Sequence, residues 1–146
     1  MKARFDPETF RWQGVEPRPY KAPTHPGGFR GVARYVFADQ LPAGFVLRYF
    51  ELEPGGYSSL EKHRHIHLVI VIRGTGRALV GDEVVELEPF DAVYVPPMTP
   101  HRWINDGSGP FGFLCPVDSD RDRPQPLDED EREALRSNPA TAPYAS

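Results

Sequence analysis

The stretch Glu61-Lys62-His63-Arg64-His65-Ile66-His67-Leu68-Val69-Ile70-Val71-Ile72-Arg73-Gly74 carries both a strand signal and a chemical one. Its second half is an apolar run rich in β-branched residues and closed by glycine, which reads as a strand expected over His63-Arg73. Alternate residues of a strand share a face, so an extended chain puts Glu61, His63, His65 and His67 on one side. Three histidines on one face are seldom needed for packing. Imidazole nitrogen with carboxylate oxygen suits borderline transition metals, whereas all-oxygen sites suit Mg or Ca and thiolate sites suit structural Zn. Two plainer readings stand beside this one: a row of surface histidines, or His65 as a hydrogen-bonded core residue.

On either side of that stretch the pattern continues. Short runs of Val, Ile, Phe and Tyr alternate with Gly, Pro and Asp clusters, predicting strands over Ala33-Phe37, Phe45-Leu52, Gly76-Val80, Glu83-Leu87, Ala92-Val95, His101-Ile104 and Phe111-Pro116. Gly81-Asp82 sits where a tight antiparallel hairpin would turn. His101 opens a strand behind the stiff Pro96-Pro97-Met98-Thr99-Pro100 segment, which makes it a further ligand candidate. An all-β barrel over residues 35-118 is therefore expected, with residues 1-34 as an extended, proline-broken arm packed on the barrel or on a partner subunit. Residues 119-146 form a tail. In it Asp128-Glu129-Asp130-Glu131 precede Arg136, the charge order that favours a short helix, and the chain after Asn138 is expected to fray.

At 146 residues, with 39% hydrophobic residues, the chain has the material for one core. A net charge of −4 offers no basic stripe for nucleic acid. No run approaches the roughly 18 apolar residues of a membrane span, and the segment from Met1 lacks the apolar stretch of a secretory signal, so a cytoplasmic protein is expected. A single cysteine, Cys115, allows no internal disulfide, in keeping with a reducing compartment.

Gly55, five residues, Glu61-x-His63, three residues, His67, six residues and Gly74 keep the spacing of the first motif of the cupin superfamily. The family's first His and its Glu exchange places. The second motif is similar to the run from Phe90 through Pro96, Met98 and His101 to Asn105, with Phe90 and Met98 standing where glycine is usual. The chain thus resembles the small single-domain metal-binding cupins. That resemblance implies a double-stranded β-helix, or jelly-roll barrel, often a homodimer. It also implies one divalent transition metal (Mn, Fe, Ni, Cu or Zn) held by Glu61, His63, His67 and His101. His65 then falls outside the ligand set as a supporting residue or an alternative ligand.

Strand alternation puts Trp103 on the side of His101, and Phe111, Phe113 and Cys115 on one face of the last strand. The resemblance sets that strand beside the metal, which would make Trp103, Phe113 and Cys115 pocket lining rather than plain core. Arg48 shares a face with Val46, Phe50 and Leu52; it either binds a substrate carboxylate, snorkels at the barrel mouth or pairs with Glu51 or Glu53. Tyr57 and Tyr94 are hydroxyl donors near the motifs.

Four protein ligands leave about two positions open on a six-coordinate metal. The first expectation is a metal-dependent enzyme acting on a small organic substrate by dioxygenase-type oxidation, with catalytic Glu61 holding the metal or acting as base. Non-redox lyase or isomerase chemistry is the second. A non-catalytic small-molecule or metal-binding barrel is the third.

Overall fold

β-branched runs between turn residues become strands in the computed structural model, which describes residues 2–37 and 42–146. The arm holds three two-residue strands, β1 (Phe5–Asp6), β2 (Arg11–Trp12) and β3 (Pro17–Arg18). The barrel follows as β4 (Arg30–Phe37), β5 (Phe45–Tyr57), β6 (His67–Arg73), β7 (Gly76–Val80), β8 (Glu83–Leu87), β9 (Ala92–Val95), β10 (His101–Ile104) and β11 (Phe111–Asp118). Among the described residues one α-helix, α1 (Glu129–Ser137), follows the barrel, and a 3-10 turn at Ala142–Tyr144 comes after it. The sheet is antiparallel and runs β8-β7-β10-β5-β11-β6-β9, with β4 on the other edge of β5 and β3 on β4. This is the expected all-β barrel. Among the described residues no helix is long and apolar enough to cross a membrane.

β5 explains how arm and barrel fit together. Its even residues Phe50 and Leu52 turn into the barrel core with Val69, Val71, Trp103 and Phe113. Its odd residues Tyr49 and Glu51 turn the other way, under the arm. Trp12 and Phe10 lie 5.1 and 5.9 Å from the Tyr49 ring, and Arg11 forks onto Glu51 at 2.9 and 3.0 Å. The Tyr49 hydroxyl and Arg73 donate to the same carboxylate at 2.8 and 2.6 Å. Glu51 is thus fully engaged outside the barrel, which rules it out as the partner of Arg48.

Three expectations are corrected. The strand expected from His63 begins at His67, because the Asp122 carboxylate accepts from the backbone N–H groups of Arg64 (2.8 Å) and His65 (3.0 Å) and takes them out of any ladder. The first barrel strand starts earlier than Ala33, at Arg30. The tail after Asn138 does not fray: Thr141 and Ala145 are fully buried, and Arg102 donates to the carbonyls of Tyr144 and Ser146 at 2.9 and 2.6 Å. Helix α1 is fixed at its start by a capping box between Asp128 and Glu131. It packs Leu135 into a second core with Leu60, Leu79 and Ile104.

The Gly81-Asp82 turn is a two-residue hairpin between paired Val80 and Glu83, with Gly81 at φ 63°. Phe90 and Met98 take φ 78° and 57°, so the backbone keeps at both positions the left-handed turn that glycine would occupy without strain. The Phe90 side chain is 82% exposed and has little packing to lose. Phe90→Gly is therefore expected to stabilise the protein by about 1 kcal/mol, read as a rise in the denaturant midpoint with unchanged slope. A fall in the midpoint would show that the conformation is not strained.

Candidate metal centre

His67 opens β6 and His101 opens β10, strands with β5 and β11 between them in the sheet order, while His63 reaches the same point from the bend before β6. The three rings meet nearly edge to face, with centroids 4.6 Å (His63–His67), 4.7 Å (His63–His101) and 5.0 Å (His67–His101) apart. One nitrogen of each lies within 4.8 Å of the others. The His63 Nδ1–H donates to the His65 carbonyl at 2.7 Å and the His101 Nδ1–H to the Thr99 carbonyl at 2.9 Å. A carbonyl can only accept, so both rings carry their proton on Nδ1 and turn the Nε2 lone pair inward. His63 Nε2 lies 3.0 Å from His67 Nε2.

All three rings are buried, at 2–7% exposure. Burial and the field of His101 and His65 push His63 down to about 4; burial and the charges of His101, His63 and Arg48 also lower His67, and burial lowers His101. Three neutral imidazoles aimed at one point form the donor set a borderline divalent metal takes, so the residues fit such an ion.

Glu61 lines the same cavity but stands apart from the histidine trio. Its Oε2 accepts from Ser59 Oγ at 2.7 Å and forms an ion pair with Lys21 of the arm. Tyr20 bonds Ser59 in turn at 2.9 Å. Lys21, Tyr20 and Ser59 were not singled out by sequence reasoning. Only chain folding brings the arm here, and no motif marks it.

The bend that carries His63 is braced from behind. His65 stacks on His63 with centroids 3.5 Å apart and planes 2° from parallel, and its Nδ1 meets Asp122 at 2.7 Å. Backbone and imidazole hydrogen bonds hold the Asp122 carboxyl far below the usual range. Asp122→Ala is accordingly expected to lower metal affinity by about 10- to 100-fold with the fold intact, measured by competition with a chromogenic chelator. Unchanged affinity would exclude Asp122 as the brace.

Arg48, Trp103, Phe113 and Cys115 all line the cavity, whereas Phe111 stays in the core. Cys115 Sγ lies 3.3 Å from His67 Nδ1, and Arg48 donates to that sulfur at 3.0 Å and to the Cys115 carbonyl at 3.3 Å. Burial pushes the thiol up, against the pull of the Arg48 charge. Of the two tyrosines, Tyr57 lies under the Arg102 guanidinium at 4.8 Å and Tyr94 is exposed on the outer face of β9, so neither reaches the cavity.

Residues 48–117 match the Cupin domain family. The chain is 38% identical over 135 residues, 92% of its length and 86% of the relative's, to the 1-methylthio-D-xylulose 5-phosphate methylsulfurylase of Rhodospirillum rubrum. It superposes with TM-score 0.89 on a cupin 2 conserved barrel domain protein from Rhodopseudomonas palustris, at 35% identity over 99% of this chain and 98% of that one. A cupin 2 domain-containing protein from Halorhodospira halophila gives TM-score 0.73 and 39% identity over 97% and 92%.

Proposed function

Because the chain belongs to the cupin superfamily, we propose that it is a metal-dependent enzyme that removes the methylthio group from a small ketone-bearing substrate. The observation that carries this reading is a buried thiol, Cys115, facing the same cavity as three inward-turned imidazoles. The 38% identical relative is named for methylsulfuryl chemistry, which supports the same assignment.

His63, His67 and His101 would hold the ion, with Glu61 as a fourth ligand or as the nearby acid–base. A divalent ion so held supplies Lewis-acid polarisation of a carbonyl oxygen. The residues of the chain do the rest. Arg48 holds the Cys115 sulfur in place and favours its thiolate. Attack of that thiolate on the thioether sulfur forms an S–S bond to Cys115 and breaks the carbon–sulfur bond. The electron pair stays on the carbon next to the carbonyl and takes a proton from the Glu61–Lys21 pair. An external thiol gives its proton back to the Glu61–Lys21 pair and attacks the methyl-bearing sulfur, leaving with the methylthio group as a mixed disulfide and freeing the Cys115 thiolate. Trp103 and Phe113 close the apolar side of the cavity.

The oxidation first expected from the sequence makes a different demand, since it needs dioxygen. Metal-loaded protein incubated with 1-methylthio-D-xylulose 5-phosphate and a thiol is expected to release the methylthio group as a mixed disulfide without oxygen uptake. Oxygen consumption coupled to substrate loss would overturn this reading in favour of a dioxygenase.

A homodimer also belongs to the proposal, supported by the exposed apolar row of Leu68, Ile70 and Tyr94 on the outer face of β6 and β9. The lone thiol favours a reducing, cytoplasmic setting.

A further inference from the structure

The metal cavity, about 390 Å³ in volume, has a charge imbalance that the chemistry above does not use. Arg34, Arg48, Arg121 and Arg123 all line it, together with Lys21. Glu61 is the one carboxylate among the described lining residues, and Lys21 and Ser59 already engage it. Asp122, which sits between Arg121 and Arg123 in sequence, turns the opposite way onto the bend at residues 64–65. That anchor leaves Arg121 and Arg123 on the cavity side. Both are exposed and stand at its opening.

Arg34 is half-buried on β4, its side chain makes no hydrogen bond or ion pair among the described residues, and its Nε is buried without a partner. Burial, and after it the charges of Arg48, Arg18 and Arg121, lower its proton affinity; burial and the charge of Arg48 act in the same sense on Arg121. Arg48 bonds only Cys115 and Arg121 donates only to the Asp118 carbonyl at 3.0 Å, so among the described residues no carboxylate offsets these guanidinium charges, and they repel one another. The arrangement becomes favourable when an anion of matching charge joins them. A planar fork of N–H donors matches phosphate oxygens, and several forks around one point suit a dianion better than a lone carboxylate.

We infer that Arg34, Arg121 and Arg123 form a subsite for a phosphate monoester, which anchors the far end of the substrate while its reacting end lies between Cys115 and the histidines. Arg48 belongs to both ends: it bonds the Cys115 sulfur and adds its charge to the anion subsite. This deepens the proposed function and rests on its reading of the cavity as the substrate site.

The test is calorimetric titration of the metal-loaded protein with D-xylulose 5-phosphate, D-xylulose and D-xylonate, with metal content measured alongside. Wild type is expected to bind the phosphate ester at least about tenfold more tightly than either phosphate-free compound. Arg34→Met and Arg121→Met are each expected to lose about tenfold or more for the ester alone, with metal content unchanged. Arg121 is exposed, so its variant folds even where a change at Arg34 perturbs β4. Equal binding of ester and sugar, tighter binding of the carboxylate, or unaltered ester affinity in both variants would overturn the inference. Arginine-dependent binding of the ester by a protein that leaves the methylthio compound intact would support the subsite while removing the proposed reaction.

Discussion

Cys115→Ser is expected to reduce methylthio release by about a thousandfold or more while leaving metal content and the circular dichroism spectrum unchanged. Serine fills nearly the same volume at this 2% exposed position and can still accept the hydrogen bond from Arg48. What it cannot do is act as a soft nucleophile toward sulfur, and covalent intermediates of this kind lose most of their rate when the nucleophile is replaced. Retained metal matters to the interpretation, because Cys115 lies against His67 and a change there could also disturb the centre. Turnover within tenfold of wild type would remove Cys115 from the reaction. The oxygen-dependent alternative makes the opposite forecast, since a buried cysteine beside a ligand has no obligatory role in it.

The metal-free protein is expected to lose stability steeply between pH 6.5 and pH 4. His63, His67 and His101 are all held below the ordinary imidazole value in the folded state, His63 down to about 4. As pH falls through about 6.5 the unfolded chain takes up protons that the folded chain refuses, so stability falls with pH. A histidine held neutral in this way costs the folded state about 1.4 kcal/mol per pH unit until its folded value is reached, and all three rings act in the same direction. A typical domain has only about 5–15 kcal/mol of stability to lose. Bound metal opposes it by occupying the same lone pairs, so the loaded protein should keep its melting temperature to lower pH. Thermal melts with and without chelator across this range make the comparison. A chelated sample as stable at pH 4.5 as at pH 7 would mean that the three rings are not forced to stay neutral.

The barrel was legible because its strands obey local rules. The β-branched runs and the Gly81 turn settle pairing within a few residues, and β7, β8, β9 and β10 fall on the expected residues. The bend at Arg64–His65 was not legible. Its cause is Asp122, far along the chain, and a period-two histidine pattern looks the same whether the backbone is straight or pulled aside. His63 and His67 meet because the chain bends between them, not because they share a strand face. Phe90 and Met98 show the converse: a residue type that argues against a left-handed turn yields to the surrounding pairing, at a local cost in strain. The arm's contribution through Tyr20 and Lys21 rests wholly on long-range packing. The alternation that put Trp103 beside His101 held because β10 is a regular strand.

The most direct test of the metal centre is elemental analysis of protein purified without added metal, comparing wild type with His63→Ala and His101→Ala. Near-stoichiometric Mn, Fe, Ni, Cu or Zn in the wild type, lost from both variants while they stay folded, is the predicted result. Metal-free wild type that takes up none of these ions on incubation, or variants that retain the full complement, would contradict it.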